Sequence, residues 1–173
     1  MALMAFLARR RVFLGFVTAA ATAVLAQPTW PSWWTGLAIA MLGEAIRVWA
    51  AGHLEKSREV TRSGPYRWTR HPLYAGSCVI AAGVVVAAMH PMVAVLAVIY
   101  LGTTITAAIR TEEAFLRRTF GDTYDRYSRS DLRDAGVARR FSLARALANR
   151  EYRAVLGVLV GFAFLALKIG LSL

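Results

Sequence analysis

Five apolar blocks, each close to the length of a bilayer crossing, restrict what this chain can fold into. They run over approximately 12–26, 33–51, 73–89, 92–109 and 154–171, against the roughly 17 to 25 residues that a helix needs to cross a hydrocarbon core. A backbone in lipid must satisfy its own polar groups, so blocks of this kind form helices. With 57% hydrophobic and only 18% charged residues, and a mean hydropathy of +0.46, an ordinary soluble domain is excluded. The pattern predicts an all-α integral membrane protein of about five transmembrane helices. No internal repeat or low-complexity linker divides it, so residues 1–173 read as one domain. The first block has a second reading. Arg9, Arg10 and Arg11, a short apolar stretch and Val24-Leu25-Ala26 before Gln27 also fit a cleavable signal peptide.

A net charge of +11 would suggest nucleic acid in a soluble protein, but here the arginines have a topological explanation. They gather at Arg9–Arg11, between His53 and Arg70, and between Arg117 and Arg153, whereas Gln27–Ser32 and the His90-Pro91 turn hold none. The positive-inside rule then places the amino terminus in the cytoplasm and the carboxyl terminus outside. The basic face also suits anionic lipid heads. No nucleic-acid partner is expected, since no reading motif accompanies the charge. Cys78 is the single cysteine and lies in an apolar block, which excludes an intrachain disulfide and a cysteine metal cluster.

The connection between the third and fourth blocks is very short: Pro91 starts the fourth helix, His90 caps the turn, and the two helices are antiparallel neighbours. His71 and Arg110 each lie nineteen positions from His90 and Pro91 respectively. At about 1.5 Å per residue, both fall about 29 Å away, near one interface. Glu112 and Glu113 therefore face the run from Arg67 to Tyr74. Gly64-Pro65 reads as a turn, Pro72 as a first helical residue that holds His71 extended, and Tyr74 as sharing the face of His71. The positive helix end beside Arg67 and Arg70 suits a carboxylate or phosphate. Taken singly, Arg67, Trp68 and Pro72 read as an interfacial cation, an aromatic-belt residue and a helix starter. Glu113 also has Arg117 one turn on as a partner.

Glu44 and Arg47 lie three apart on one face inside the second block, where they form either a structural ion pair or part of a polar cavity. Gly157 and Gly161 form a GxxxG pattern that marks the last helix as a packing or homodimer face. Phe141, Ala144 and Ala148 share a helical face, as in a short helix lying on the membrane before the last crossing.

The ordered set His53-Leu54-Glu55-Lys56, Ser63-Gly64-Pro65-Tyr66, Arg70-His71-Pro72-Leu73-Tyr74, Glu112-Glu113 and Phe120-Gly121 with Tyr124 and Tyr127 resembles the isoprenylcysteine carboxyl methyltransferase family and its phospholipid-methylating relatives. The resemblance covers roughly residues 42–130. It implies a membrane methyltransferase that takes S-adenosyl-L-methionine at the cytoplasmic ends of its helices, with no Rossmann domain, and the chain carries no GxGxxG. Carried over by position, His53, Arg58, Glu59, Val60, Thr61, Tyr66, Arg70, His71, Pro72, Leu73, Tyr74 and Glu112 bind the cofactor. His71, Arg110 and Glu113 are the candidate catalytic residues, and no metal is implied. The acceptor is lipidic or prenylated, the location a multi-pass plasma (inner) membrane, and the partners membrane lipids. Members that methylate prenylated cysteine carry an arginine four residues before the cofactor glutamate, but here Ala108 stands there. Amino-lipid N-methylation therefore stays open beside carboxyl O-methylation. The chain also continues past the paired tyrosines into a fifth block, unlike the usual member. A non-enzymatic scaffold or a small transporter is the alternative of another class; a transporter places ionisable groups at mid-membrane, whereas this cluster sits at a helix mouth.

Overall fold

The computed structural model describes residues 2–55, 59–129 and 139–171, with side chains from residue 13 onward. Among them are seven α-helices and no strand: α1 (Ala2–Leu25), α2 (Trp30–Ala51), α3 (Pro72–Ala88), α4 (Pro91–Phe120), α5 (Asp122–Ser128), α6 (Leu143–Ala148) and α7 (Tyr152–Gly170). A single 3-10 turn, Gly64–Arg67, precedes α3.

Local chemistry sets the boundaries. Thr29 and Ser32 form a reciprocal capping box at the start of α2, the Ser32 hydroxyl accepting from the Thr29 amide at 3.0 Å. His90 caps α4 by accepting the Met92 amide at Nδ1, 3.2 Å away, with Pro91 as the first helical residue. Met89, at φ 49°, supplies the left-handed residue that reverses the chain between α3 and α4.

The long helices α1, α2, α3, α4 and α7 run between two ends. At the distal end, the Gln27 amide donates to the Ala88 carbonyl at 2.8 Å, pinning the α1–α2 link onto the end of α3. There too, Lys168 Nζ donates to the Ala23 and Val24 carbonyls at 2.9 Å, joining the last turn of α7 to the exposed carbonyls of α1. At the other, polar end lie the 3-10 turn, α5 and α6.

Small residues let α2 and α3 touch backbone to backbone. A Cβ on Gly43 would stand 2.7 Å from the Gly76 carbonyl oxygen, and one on Gly83 2.6 Å from the Ala40 amide, both closer than any real contact. The buried core follows this seam through Ala40, Ala87 and Ala88 to Val93, Phe162 and Leu165. From α7, the Phe162 carbonyl accepts Trp33 Nε1 at 2.8 Å. By contrast, among the described residues Gly157 and Gly161 meet no other atom within 4 Å of an added Cβ, so the GxxxG pattern makes no close helix contact there.

The large apolar side chains point outward: Phe16 is 71% exposed and Val98 72%. A small-residue interior with a large-residue exterior is the reverse of a water-soluble core. Among the described residues, α4 and α7 are long and apolar enough to cross a membrane, and their apolar stretches are mostly exposed. The segment Phe13–Leu25 and helix α3 are apolar but shorter, and α2 is diluted by Glu44, Arg47 and its tryptophans. Two of the five expected crossings thus meet the length and composition of a span.

Candidate functional site

The unequal lengths of α3 and α4 build the site. Their 17 and 30 residues correspond to about 26 and 45 Å of helix, so the second half of α4 runs past the start of α3. There Glu113 Oε1 accepts from Arg70 Nη1 at 3.2 Å and lies 3.3 Å from His71 Nε2. One residue earlier, Glu112 accepts the Tyr74 hydroxyl at 3.0 Å. Glu113 therefore pairs across to α3 instead of with Arg117, which bonds Asp125 at 3.3 Å. The His71 Nδ1 is buried without a partner.

These groups border a polar cavity of about 350 Å³, within the roughly 300 to 1,000 Å³ of small-molecule sites. Tyr66, Arg70, His71, Pro72, Leu73, Tyr74 and Glu112 form one wall. Arg47, Ala51 and Leu54 from the end of α2, with Asn149 and Glu151 from the start of α7, form the other. Burial pushes the Tyr66 phenol well above its usual range, and the Glu112 carboxylate adds to the rise, so Tyr66 offers a neutral hydroxyl. Its carbonyl accepts the Tyr127 hydroxyl at 2.8 Å, which ties the 3-10 turn to α5. Tyr127 and Tyr124 are buried with Val60, and Leu116 and Phe120 pack beside them. Burial pushes Tyr124 up to about 12, with Glu113 contributing.

Seven of the residues carried over to the cofactor line this cavity, and the others lie elsewhere. His53 is buried under Gly64, its Nδ1 3.0 Å from the Trp49 carbonyl. Thr61 is buried and accepts the Glu55 amide at 3.1 Å, Glu59 pairs with Arg139 at 3.2 Å, and Val60 packs on the tyrosines. Arg58 lies outside the described residues. Of the catalytic candidates, His71 lines the cavity, Glu113 stands behind it through Arg70 and His71, and Arg110 is exposed on α4 without lining it.

Of the other wall, sequence spacing offered only Arg47, through the second of its two readings, part of a polar cavity. Arg47 does not pair with Glu44. Its Nη2 donates to both oxygens of Glu151, and its Nη1 donates to the Ser77 hydroxyl at 2.5 Å and the Leu73 carbonyl at 3.3 Å. Neither oxygen of the buried Glu44 has a hydrogen-bond partner. Asn149 Nδ2 donates to the Ala51 and Leu54 carbonyls at 2.9 and 3.0 Å, and Arg145 Nε to Glu55 at 2.9 Å. Cations and amides at a helix carboxyl end satisfy its open carbonyls. The segment from Arg139 to Glu151 is thereby clamped onto the end of α2. Of the face expected to lie on the membrane, Phe141 precedes α6 and packs on Gly52 and His53, while Ala144 and Ala148 are exposed. The cue for this wall was the pair of polar residues, Asn149 and Glu151, at the mouth of the last apolar block.

A second cavity, about 790 Å³ and almost wholly apolar, lies between α1, α3, α4 and α7. Ile80, Val84, Tyr100 and Phe162 are among its walls, Gly157 and Gly161 give it room, and Arg47 borders it as well as the polar cavity.

Known proteins resemble this chain in sequence. The probable protein-S-isoprenylcysteine O-methyltransferases of Oryza sativa subspecies indica and japonica are each 33% identical over 107 residues, covering 55% of this chain and 56% of theirs. The cobalt-zinc-cadmium resistance protein CzcN of Cupriavidus metallidurans is 33% identical over 121 residues, 64% of this chain and 54% of its own. The chain spans about half the length of these curated relatives. No solved structure matches it. The family model described as phospholipid methyltransferase matches residues 16–123, from within α1 to the start of α5, and so takes in the polar wall made by the 3-10 turn, α3 and α4. With well over half of its length in that match, the chain belongs to the phospholipid methyltransferase family.

Proposed function

We propose that this protein is an integral-membrane, S-adenosyl-L-methionine-dependent methyltransferase acting on a lipidic or prenylated acceptor. The observation that carries the reading is a polar cavity and an apolar one that share Arg47 as a lining residue, at the polar end of α2. Five crossings by α1, α2, α3, α4 and α7 suit the outward-facing apolar side chains, and the arginine-rich end then faces the cytoplasm.

The polar residues suit the methyl donor. The Arg70 cation and the start of α3 match a carboxylate, and Glu112 matches an ammonium. When bound, S-adenosyl-L-methionine supplies an electrophilic methyl carbon held on a sulfonium. Pro72 and Leu73 exclude water from one side of the cavity, and Tyr66 adds a neutral donor. Glu113 holds the His71 ring by Nε2, which leaves Nδ1 as the basic nitrogen. With a carboxylate acceptor no proton need move; with an amine acceptor, His71 Nδ1 takes the proton that the nitrogen loses. Positioning the two reactants supplies most of the rate.

Both family names point to lipid chemistry, and Ala108 favours neither O- nor N-methylation. Calorimetry of the detergent-solubilised protein with S-adenosylhomocysteine tests the cofactor. We expect binding by the wild type and loss of binding in His71→Ala and Glu112→Ala with the fold retained by circular dichroism. Normal binding by both variants would falsify the site assignment. Labelled methyl transfer to a total lipid extract, read by mass spectrometry, separates ester from N-methyl products.

A further inference from the structure

Arg47 is the only charged residue among those lining the apolar cavity, and it lines the polar cavity too. An amphiphile whose chain occupies the 790 Å³ space therefore meets, among the described residues, one cation, and that cation also lines the polar cavity. The present partner of that cation is informative. Glu151, with a side chain only 7% exposed, presents both carboxylate oxygens to Arg47 Nη2. Ser77 and Leu73 hold Nη1 in place, so the guanidinium stays oriented if Glu151 leaves. Its Nε is buried with no acceptor, so the fork keeps a donor to spare.

Glu44, one turn away on α2, is 2% exposed and has no hydrogen-bond partner for either oxygen. A second buried carboxyl group thus stands beside the Arg47–Glu151 pair without a hydrogen-bond partner of its own. A desolvated ion pair of this kind is commonly no more stabilising than packed apolar residues. A fork that binds a carboxylate geometrically binds other planar or tetrahedral oxyanions by the same two donors.

We infer that Arg47 receives the anionic head of the methyl acceptor, a carboxylate or phosphate oxygen, and that Glu151 occupies its fork as an internal surrogate that the head displaces. This inference rests on the methyltransferase reading, and it gives a specificity role to a segment, the start of α7, that lies beyond the residues matched by the family model. It also assigns to α2 the cation that α4 lacks at Ala108.

The test uses the full chain in detergent micelles at saturating S-adenosyl-L-methionine, with the acceptor varied. One arm uses S-farnesylcysteine with a free carboxylate, the other phosphatidylethanolamine. The variants are R47K, R47A and E151Q. For the acceptor whose head Arg47 receives, R47A raises KM at least about tenfold, as expected for loss of a charge-assisted hydrogen bond, and R47K raises it less. E151Q lowers that KM, because the competing carboxylate is gone. A purely structural ion pair predicts instead that R47K and E151Q both lower thermal stability and impair turnover in the same direction. Opposite shifts in acceptor KM support the inference, and the arm in which they occur tells carboxylate from phosphate. Shifts of the same sign or none in both arms overturn it, as does loss of S-adenosylhomocysteine binding in R47K, which would make Arg47 a cofactor ligand. Absence of transfer to both acceptors by a wild type that binds S-adenosylhomocysteine also overturns it. A wild type that neither binds S-adenosylhomocysteine nor transfers methyl removes the underlying reading as well, and this outcome is distinct from the others.

Discussion

The two sides of the helix bundle are packed in opposite ways. Along the α2–α3 seam there is no room for one methyl group at Gly43 or Gly83, and helix backbones touch. Between α1, α3, α4 and α7 the same chain leaves about 790 Å³ unfilled. Close packing costs sequence freedom but fixes register, and register is what brings Arg47, at the end of one helix, beside Leu73 and Ser77 at the start of the other. An open apolar space fixes nothing, and suits a flexible hydrocarbon chain. One side of the molecule therefore holds polar groups in place while the other leaves an apolar space open.

The most damaging way to break this contrast is Gly83→Leu. Its side chain meets the α2 backbone with no route of escape, and we expect a loss of about 3 kcal/mol or more, seen as loss of monodisperse protein after solubilisation. The matching change on the open side, Gly161→Leu, adds its Cβ where nothing lies within 4 Å, and we expect a melting temperature near that of the wild type. It takes up cavity volume, and under the proposed function it raises the acceptor KM about tenfold without altering S-adenosylhomocysteine affinity. Equal melting temperatures for the two variants would erase the distinction between the sides.

Smaller changes sharpen how the tight side extends into the polar end. Tyr127→Phe removes the 2.8 Å bond to the Tyr66 carbonyl and costs about 1 kcal/mol, measured by denaturant or thermal unfolding, with cofactor affinity reduced because Tyr66 lines the cavity. The smallest effect is alkaline. Tyr124 is raised from 10.0 to about 12 in the folded protein, so the folded state keeps a proton that the unfolded state loses. Its contribution to stability is full below pH about 10 and is lost as pH rises towards about 12. Tyr124→Phe should flatten the decline in melting temperature over that window; an unchanged slope would assign the decline to other groups.

The difference between the sides also explains which features were legible in the sequence. The α3–α4 hairpin was readable because helical rise is a constant: a proline-started helix after a short turn puts Glu112 and Glu113 opposite Arg70, His71 and Tyr74 whatever surrounds them. The seam was encoded in the spacing of Gly36, Ala40 and Gly43 against Gly76 and Gly83, a signal as plain as GxxxG. The GxxxG at Gly157 and Gly161 drew attention because it fits a familiar pattern, yet within the chain those glycines border empty space. Spacing left two readings for Glu44 and Arg47, an ion pair or part of a polar cavity; Arg47 lines such a cavity, but local rules see only neighbours three or four residues away and so could not name its partner. The actual partner, Glu151, is 104 positions distant. His53 and Thr61 sit among motif residues, but their side chains serve the backbone at Trp49 and Glu55 instead of the cavity.

The sequence by itself determined the helices, their caps, the uneven charge of the two ends and one wall of the site, because each follows from local geometry or from composition. Tertiary packing decided the rest. Only the docking of the segment from Arg139 to Glu151 onto the end of α2 closes the second wall and puts Arg47 between two cavities, and such a contact depends on the relative placement of whole helices, for which no periodicity along the chain provides a ruler.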